Sequence, residues 1–399
     1  MPVHYSGPPL VGYCTNVHAG RNWSEIQVNL ERHAVRVREL LAARELSIGL
    51  WLSAAAAREI VAANRITEMR EWLANRGLRV FTLNGFPYGD FHQPVVKHAV
   101  YEPNWTKPAR AAYTRDLAEI LCALTPEGAE GSISTLPLGW GPTIGPADFA
   151  TAARQLLDVC AFLRQLERDY GRLIHLDLEP EPGCALQYSS DVVRFFESFA
   201  SLEHDELSVR RYLRVCHDIC HAAVMFEEQA DCLRRYEAAG IAVGKVQVSS
   251  ALRAPFAEFD AARRQQALSA LASFEEPRYL HQTVIRDATT GELRFFDDLP
   301  VALTAAQGDE HLARGEWRIH FHVPIYLSRA GVLSTTQSDT LACLNELGDI
   351  PLVHHFEVET YAWNVLPDEF RTNDLPAGIA RELGWLWSVA PWVREANLA

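Results

Sequence analysis

The chain has 399 residues, close to half of them hydrophobic, and a formal net charge of −14. That length accommodates one large α/β barrel or two ordinary domains, and the acid excess argues against a polyphosphate backbone as partner. No apolar run approaches a membrane span, and the start "MPVHYSGPPLVGYC" lacks the basic-then-apolar order of a signal peptide. Eight cysteines without a C-x-x-C pair read as scattered reduced thiols, and the expected location is cytoplasmic.

In chain order, β-rich runs occupy 11–17, 47–53, 79–85, 131–137, 173–180, 213–219, 243–250, 318–324 and 353–360. Amphipathic helical patterns lie between them at 24–44, 54–76, 106–124, 147–170, 188–202, 226–239 and 260–273. This alternation predicts a parallel sheet with helices outside it. Its regular recurrence without a linker predicts a (β/α)8 TIM barrel, one domain over 1–399. Nine runs compete for eight places, so one belongs elsewhere. The segment 275–316, with "TVIRDATTGELRFFDDL" around a Thr-Gly turn, reads as an insertion carrying a hairpin. Phosphate-binding glycine loops, the G-x-G-x-x-G fingerprint and the G-x-S-x-G elbow are all missing from the sequence; "GWGPTIG" reads as a loop.

Strand side chains alternate faces, so each run sorts by parity. In 173–180, Ile174, Leu176 and Leu178 oppose His175, Asp177 and Glu179; in 213–219, Val215 and Ile219 oppose Arg214, Cys216 and Asp218. Lys245 and Gln247 oppose Val246 and Val248, His320 and His322 oppose Phe321, and His355, Glu357 and Glu359 oppose Phe356 and Val358. Five runs thus pair an apolar face with an ionisable or amide one. Buried charge is costly without a partner, and in a barrel the C-terminal strand ends build the site.

Glu179, Asp218, His221, His322 and Glu359 form a hard oxygen-and-imidazole set suited to Mn²⁺, Mg²⁺, Zn²⁺, Co²⁺ or Fe²⁺. Facing carboxylates repel unless a dication lies among them. The competing reading makes Asp218 a helix cap, His221 a core histidine and Glu179 a loop acid. His355 and Glu357 lie deeper and read as structural. His320, Lys245 and Gln247 are expected to face substrate. In "LNGFPYGDFH", Asn84 ends a strand, and Phe86, Tyr88, Phe91 and His92 follow on a loop that would either cover a ring-shaped polyol or pack on its own barrel.

At these residues the chain resembles the xylose isomerase-like TIM-barrel superfamily of sugar isomerases, epimerases and certain endonucleases. D-x-x-H in "CHDICHA" is similar to its metal-binding strand motif, and Glu179 and Glu359 are similar to its ligand glutamates. The resemblance implies a ligand histidine in "GKVQVSS", where this chain has Gln247; His322 could supply the missing imidazole. More narrowly, "GYCTNVH", "VYEPNW", "GSISTLPLGW", "HLDLEPE" and "EVETYAWNVLP" resemble the EboE family of metabolite traffic proteins. That resemblance implies a place in a small biosynthetic gene cluster, with other proteins of the cluster as partners, and specifies no reaction.

The expected function is a divalent-metal-dependent isomerase or epimerase of a sugar, sugar phosphate or cyclitol. Glu179 and Glu359 would move the proton. The alternative is a non-catalytic carrier or scaffold that binds a polyol at the same metal site. Nucleic acid is excluded as a partner by charge, and no membrane integration is expected.

Overall fold

The structure is a computed structural model that describes residues 9–18, 20–199, 206–348 and 353–394. Its strands are β1 (Leu10–Tyr13), β2 (Leu46–Trp51), β3 (Leu78–Asn84), β4 (Glu130–Thr135), β5 (Leu173–Leu178), β6 (Leu213–Asp218) and β7 (Val243–Val248). There follow β8 (Leu252–Pro255), β9 (Thr283–Arg286), β10 (Leu293–Phe296), β11 (Glu316–Ile319), β12 (Arg329–Ala330), β13 (Leu333–Thr335) and β14 (His355–Val358).

Eight parallel strands run in the order β1-β14-β7-β6-β5-β4-β3-β2, and a parallel bridge from Cys14 to Gly49 brings the last back to the first. Helices alternate with these strands, giving the (β/α)8 barrel expected from the pattern. The run outside the barrel is "RIHFHVP". Its β11 belongs to a second, antiparallel sheet in the order β10-β9-β11-β8-β13-β12. The hairpin expected within 275–316 is β9–β10, but the sheet draws strands from 252 to 335. Strands of two to four residues such as β8, β12 and β13 are too short to show a period.

The helical pattern 54–76 breaks at Asn64, where φ is +55°, into Ala54–Ala62 and Ile66–Ala74. Residues 200–202 of the pattern 188–202 lie outside the described residues. All eight cysteines are unpaired and buried. No helix among the described residues is long and apolar enough to cross a membrane.

Parity places the chemistry. Ile174, Leu176, Leu178, Val246, Val248, Phe356 and Val358 are buried in the apolar core. The opposite faces fill the barrel with polar side chains, also buried: Ser132, Ser134, His175, Asp177, Lys245, Gln247, His355 and Glu357. His175 Nδ1 is 2.6 Å from Asp177 Oδ1, and His355 Nδ1 is 2.8 Å from Ser132 Oγ. Lys245 Nζ is 2.5 Å from Glu357 Oε2 and 3.3 Å from Ser134 Oγ. Burial alone would lower the Lys245 ammonium, but the Glu357 carboxylate more than offsets it and holds the pKa above its ordinary range. Room for this pair comes from Gly49, where an added Cβ would lie 1.2 Å from Glu357 Oε1.

One carboxylate gathers the second sheet. Glu316 on β11 accepts from Arg253 of β8, Arg286 of β9 and its own strand's Arg318, each with one bond of 2.9 Å. Burial opposes its charge, yet the Arg253 and Arg318 guanidiniums lower its pKa to about 2.

Two outcomes follow. Glu357→Gln leaves a buried ammonium unpaired and should cost about 3–5 kcal/mol of stability, measured by denaturant unfolding; a loss within error would show that the pair is not needed. The Glu316 carboxyl is depressed in the fold, so its stabilisation is complete above its unfolded value, about 4.3, and is lost as pH falls towards about 2. Glu316→Gln should therefore flatten the acid limb of the stability–pH curve.

Candidate functional site

The C-terminal strand ends bring three carboxylates together. Asp218 ends β6, and its Oδ1 accepts from the His221 backbone N–H at 3.0 Å and from Ser249 Oγ at 2.8 Å. That oxygen caps the short helix Ile219–Val224, while Oδ2 has no hydrogen bond among the described residues. The capping reading and the site reading therefore use different oxygens of one side chain. Glu179 follows β5, its N–H held by Thr135 O at 3.0 Å and its Oε2 without a partner. Glu359 follows β14, and its Oε1 accepts from Asn16 Nδ2 at 2.8 Å and Asn84 Nδ2 at 2.9 Å. One oxygen from each of Glu179, Asp218 and Glu359 falls within 4.8 Å of the others.

Burial, reinforced by repulsion within the group, raises Glu179 well above the usual carboxylate range and Glu359 to about 8. Burial would raise Asp218 too. His221, His322, the His221 N–H and the Ser249 hydroxyl outweigh it and hold Asp218 low.

Three imidazoles complete the cluster. His221 Nδ1 is 2.9 Å from Pro180 O, His320 Nδ1 is 2.8 Å from Gln282 Oε1, and His322 Nδ1 is 2.6 Å from Glu359 O. Each partner is an acceptor, so each ring carries its proton on Nδ1 and turns the lone pair of Nε2 inward. The inward atoms are close: His221 Nε2 to His320 Nε2 is 3.2 Å, and His320 Nε2 to His322 Nε2 is 3.2 Å. Burial keeps the rings neutral, lowering His221 to about 4, His320 well below its ordinary range, and His322 below it. Lone pairs facing one another are unfavourable unless a cation takes them. A separation near 3.2 Å also suits nitrogens around one metal at about 2.0–2.1 Å each. The donors present fit a divalent metal.

The Gln282 amide decides how His320 is held. Its Nε2 donates to Tyr101 Oη at 2.8 Å and to Glu181 Oε1 at 3.0 Å, so its Oε1 is left to accept from His320. Tyr101 also donates to Glu181 Oε1 at 2.8 Å.

A roof covers the cluster. From "LNGFPYGDFH", Phe86 and Phe91 line the cavity. Tyr88 turns away and packs edge-on against Tyr113, ring centroids 5.2 Å apart. Phe91, Tyr279 and Tyr361 stand 5.0–5.4 Å apart pairwise, joining loop, second sheet and the segment after β14. The space beneath is about 540 Å³, solvent at its open side included.

The expected residues are placed as follows. Glu179, Asp218, His221, His322 and Glu359 converge, and His320 joins the imidazoles instead of standing apart from them. Asn84 is bound to Glu359. Gln247 is level with Asp218 in the sheet register, fully buried, with neither side-chain polar atom partnered. Lys245 does not reach the cavity: it is paired with Glu357 inside the barrel. His92 Nε2 lies 2.5 Å from Asn16 O and supports the backbone of the residue that holds Glu359. Sequence reasoning passed over Glu181, Tyr101 and Gln282. Glu181 shares the parity of Glu179 in "HLDLEPE"; the other two carry no local signal.

No family model matches the chain, and no curated protein matches it. Among solved structures it is similar to a xylose isomerase-like TIM-barrel protein from Mycobacterium smegmatis in complex with magnesium, at 12% identity and a TM-score of 0.51, covering 97% of this chain and 98% of that one. It is also similar to the probable 3-DHS dehydratase AsbF of Bacillus anthracis, at 12% identity and a TM-score of 0.48, covering 94% and 98%. The zinc-bound IolI protein matches at 11% identity and a TM-score of 0.48, covering 97% and 99%. The fold is that of the xylose isomerase-like TIM barrels.

Gln282→Leu removes the acceptor that orients His320 and should weaken divalent-metal binding roughly 10- to 100-fold, read by chelator competition. An unchanged affinity would show that His320 is not held for a metal.

Proposed function

We propose that the protein is a divalent-metal-dependent isomerase or epimerase acting on a sugar, sugar phosphate or cyclitol. The observation that carries this is the pair Glu179 and Glu359: two buried carboxylates at one barrel mouth, each with an oxygen not engaged by the protein. Glu179, Asp218, His221, His322 and Glu359 would hold the metal, with His320 beside them. A bound dication would polarise a substrate oxygen and so acidify the neighbouring carbon-bound proton.

The side chains do the rest. One glutamate takes a proton from a substrate carbon, and a proton is returned from a glutamate to the adjacent carbon or to the opposite face of the same one, so the net reaction moves hydrogen without an oxidant. Asn16 and Asn84 hold Glu359 through Oε1, which fixes where its other oxygen lies. The Phe86, Phe91 and Tyr361 rings limit water at the reacting carbon. The motif resemblance to EboE-like proteins supports a role in a metabolite-trafficking gene cluster, and the scattered reduced cysteines support a cytoplasmic location.

Metal-loaded protein incubated in D₂O with a panel of keto-sugars and keto-cyclitols should place deuterium at the carbon beside the carbonyl. Glu359→Ala should lower that exchange at least ~100-fold, within the usual contribution of a positioned acid–base group. Tight polyol binding without exchange across the panel would instead favour the non-catalytic carrier.

A further inference from the structure

The cavity lining sets three carboxylates, Glu179, Glu181 and Glu359, against one lysine, Lys97; no arginine lines it among the described residues. The two lining histidines, His221 and His320, turn their Nε2 atoms towards each other at 3.2 Å, within the expected metal cluster.

Lys97 is tied down. It stands on the roof loop with φ +42°, a conformation unfavourable for a side chain with a Cβ. The loop is fastened there because the N–H groups of Val96 and Lys97 both donate to Arg278 O, at 2.7 and 2.9 Å. Lys97 Nζ is 2.5 Å from Asp298 Oδ2. Asp298 Oδ1 is occupied separately, accepting from His281 N at 3.0 Å and Leu299 N at 3.1 Å, where it caps the helix Leu299–Ala306. The segment after β10 thus presents a fixed carboxylate oxygen to the roof, and the lysine charge is paired.

We propose that the Lys97–Asp298 pair is a specificity determinant that sets the mouth for uncharged ring polyols and against their phosphate esters. This rests on the polyol reading above. A phosphoryl group held away from the reacting carbon needs guanidinium, ammonium or clustered N–H donors to replace its water. The walls offer aromatic and aliphatic faces (Phe86, Phe91, Tyr361, Leu280) with carboxylates below them. Such a wall suits the C–H face of a ring, and the floor suits hydroxyls. A phosphate dianion would meet Glu181, which lies outside the expected metal ligands, and the one lining ammonium among the described residues is already paired with Asp298.

Calorimetry on metal-loaded protein tests this with myo-inositol and D-glucose against myo-inositol 1-phosphate and D-glucose 6-phosphate. The phosphates should bind about tenfold or more weakly than their parents, a difference of one charge contact at a partly solvated mouth. Asp298→Asn keeps the capping oxygen and frees Lys97; it should strengthen phosphate binding severalfold and leave the parents unchanged. Lys97→Gln leaves the Asp298 carboxylate without its cation and should keep or widen the wild-type preference for the uncharged parents. A phosphate that binds wild type as tightly as its parent, an Asp298→Asn variant with an unchanged ratio, or stronger phosphate binding in Lys97→Gln would each overturn the proposal. Failure of both uncharged and phosphorylated probes to bind would bring down the polyol reading together with it, whereas tight phosphate binding alone would leave that reading standing.

Discussion

Ionisable groups inside a closed sheet have no water to turn to, and the organisation of this protein depends on how each of them finds a partner. The interior of a TIM barrel is ordinarily packed with branched apolar side chains. Here it holds Lys245 against Glu357, His175 against Asp177 and His355 against Ser132. These pairings leave little freedom. Gly49 must lack a Cβ for Glu357 to fit, and Asp177 similarly occupies the space a Cβ on Gly244 would need. Near the mouth Glu179 Oε2, Asp218 Oδ2 and both polar atoms of Gln247 are left without hydrogen bonds, and deeper in the barrel so are Asp177 Oδ2 and His175 Nε2.

The second sheet changes what the barrel can hold. Alone, the strand ends offer carboxylates and the single imidazole of His221. The extended segment leaving β11 adds His320 and His322, and Gln282 next to β9 fixes the tautomer of one of them. A barrel with Gln247 where the superfamily resemblance implies a ligand histidine thus regains imidazole nitrogens from another layer. The segments entering β9 and leaving β10 supply Tyr279 and Asp298 to the roof, so the donor set and the cover over it both depend on this sheet and on the Glu316 cluster that holds its strands together.

Glu382 shows how far outward this organisation extends. It is buried on the helix Leu375–Val389 and accepts from Thr360 Oγ1 at 2.6 Å, Ile325 N at 3.1 Å and Trp363 Nε1 at 3.1 Å. One carboxylate therefore ties the backbone beyond His322 to the backbone beyond Glu359. Burial raises its pKa to about 7 despite these donors.

Alternation of apolar and polar residues in "LIHLDLEP", "LRVCHDI", "GKVQVSS" and "HHFEVET" determined by itself that these runs are strands, and which side chains share a face, because strand parity is a local property of the backbone. It also brought Glu179, Asp218, His221 and Glu359 to one mouth once the strands were parallel. "RIHFHVP" has the same alternation, and nothing within it says that its neighbours are antiparallel; pairing with β8 and β9 decided that. Lys245 has the parity of a site residue, yet its depth in the barrel and the reach of Glu357 took it out of the cavity. Gln282, Tyr101 and Glu181 meet only because a loop, an insertion and a strand end converge from 181 and 101 residues apart in sequence. Tertiary structure alone decides such contacts, since a side chain's partner across that distance is set by how whole elements pack and not by the residues beside it.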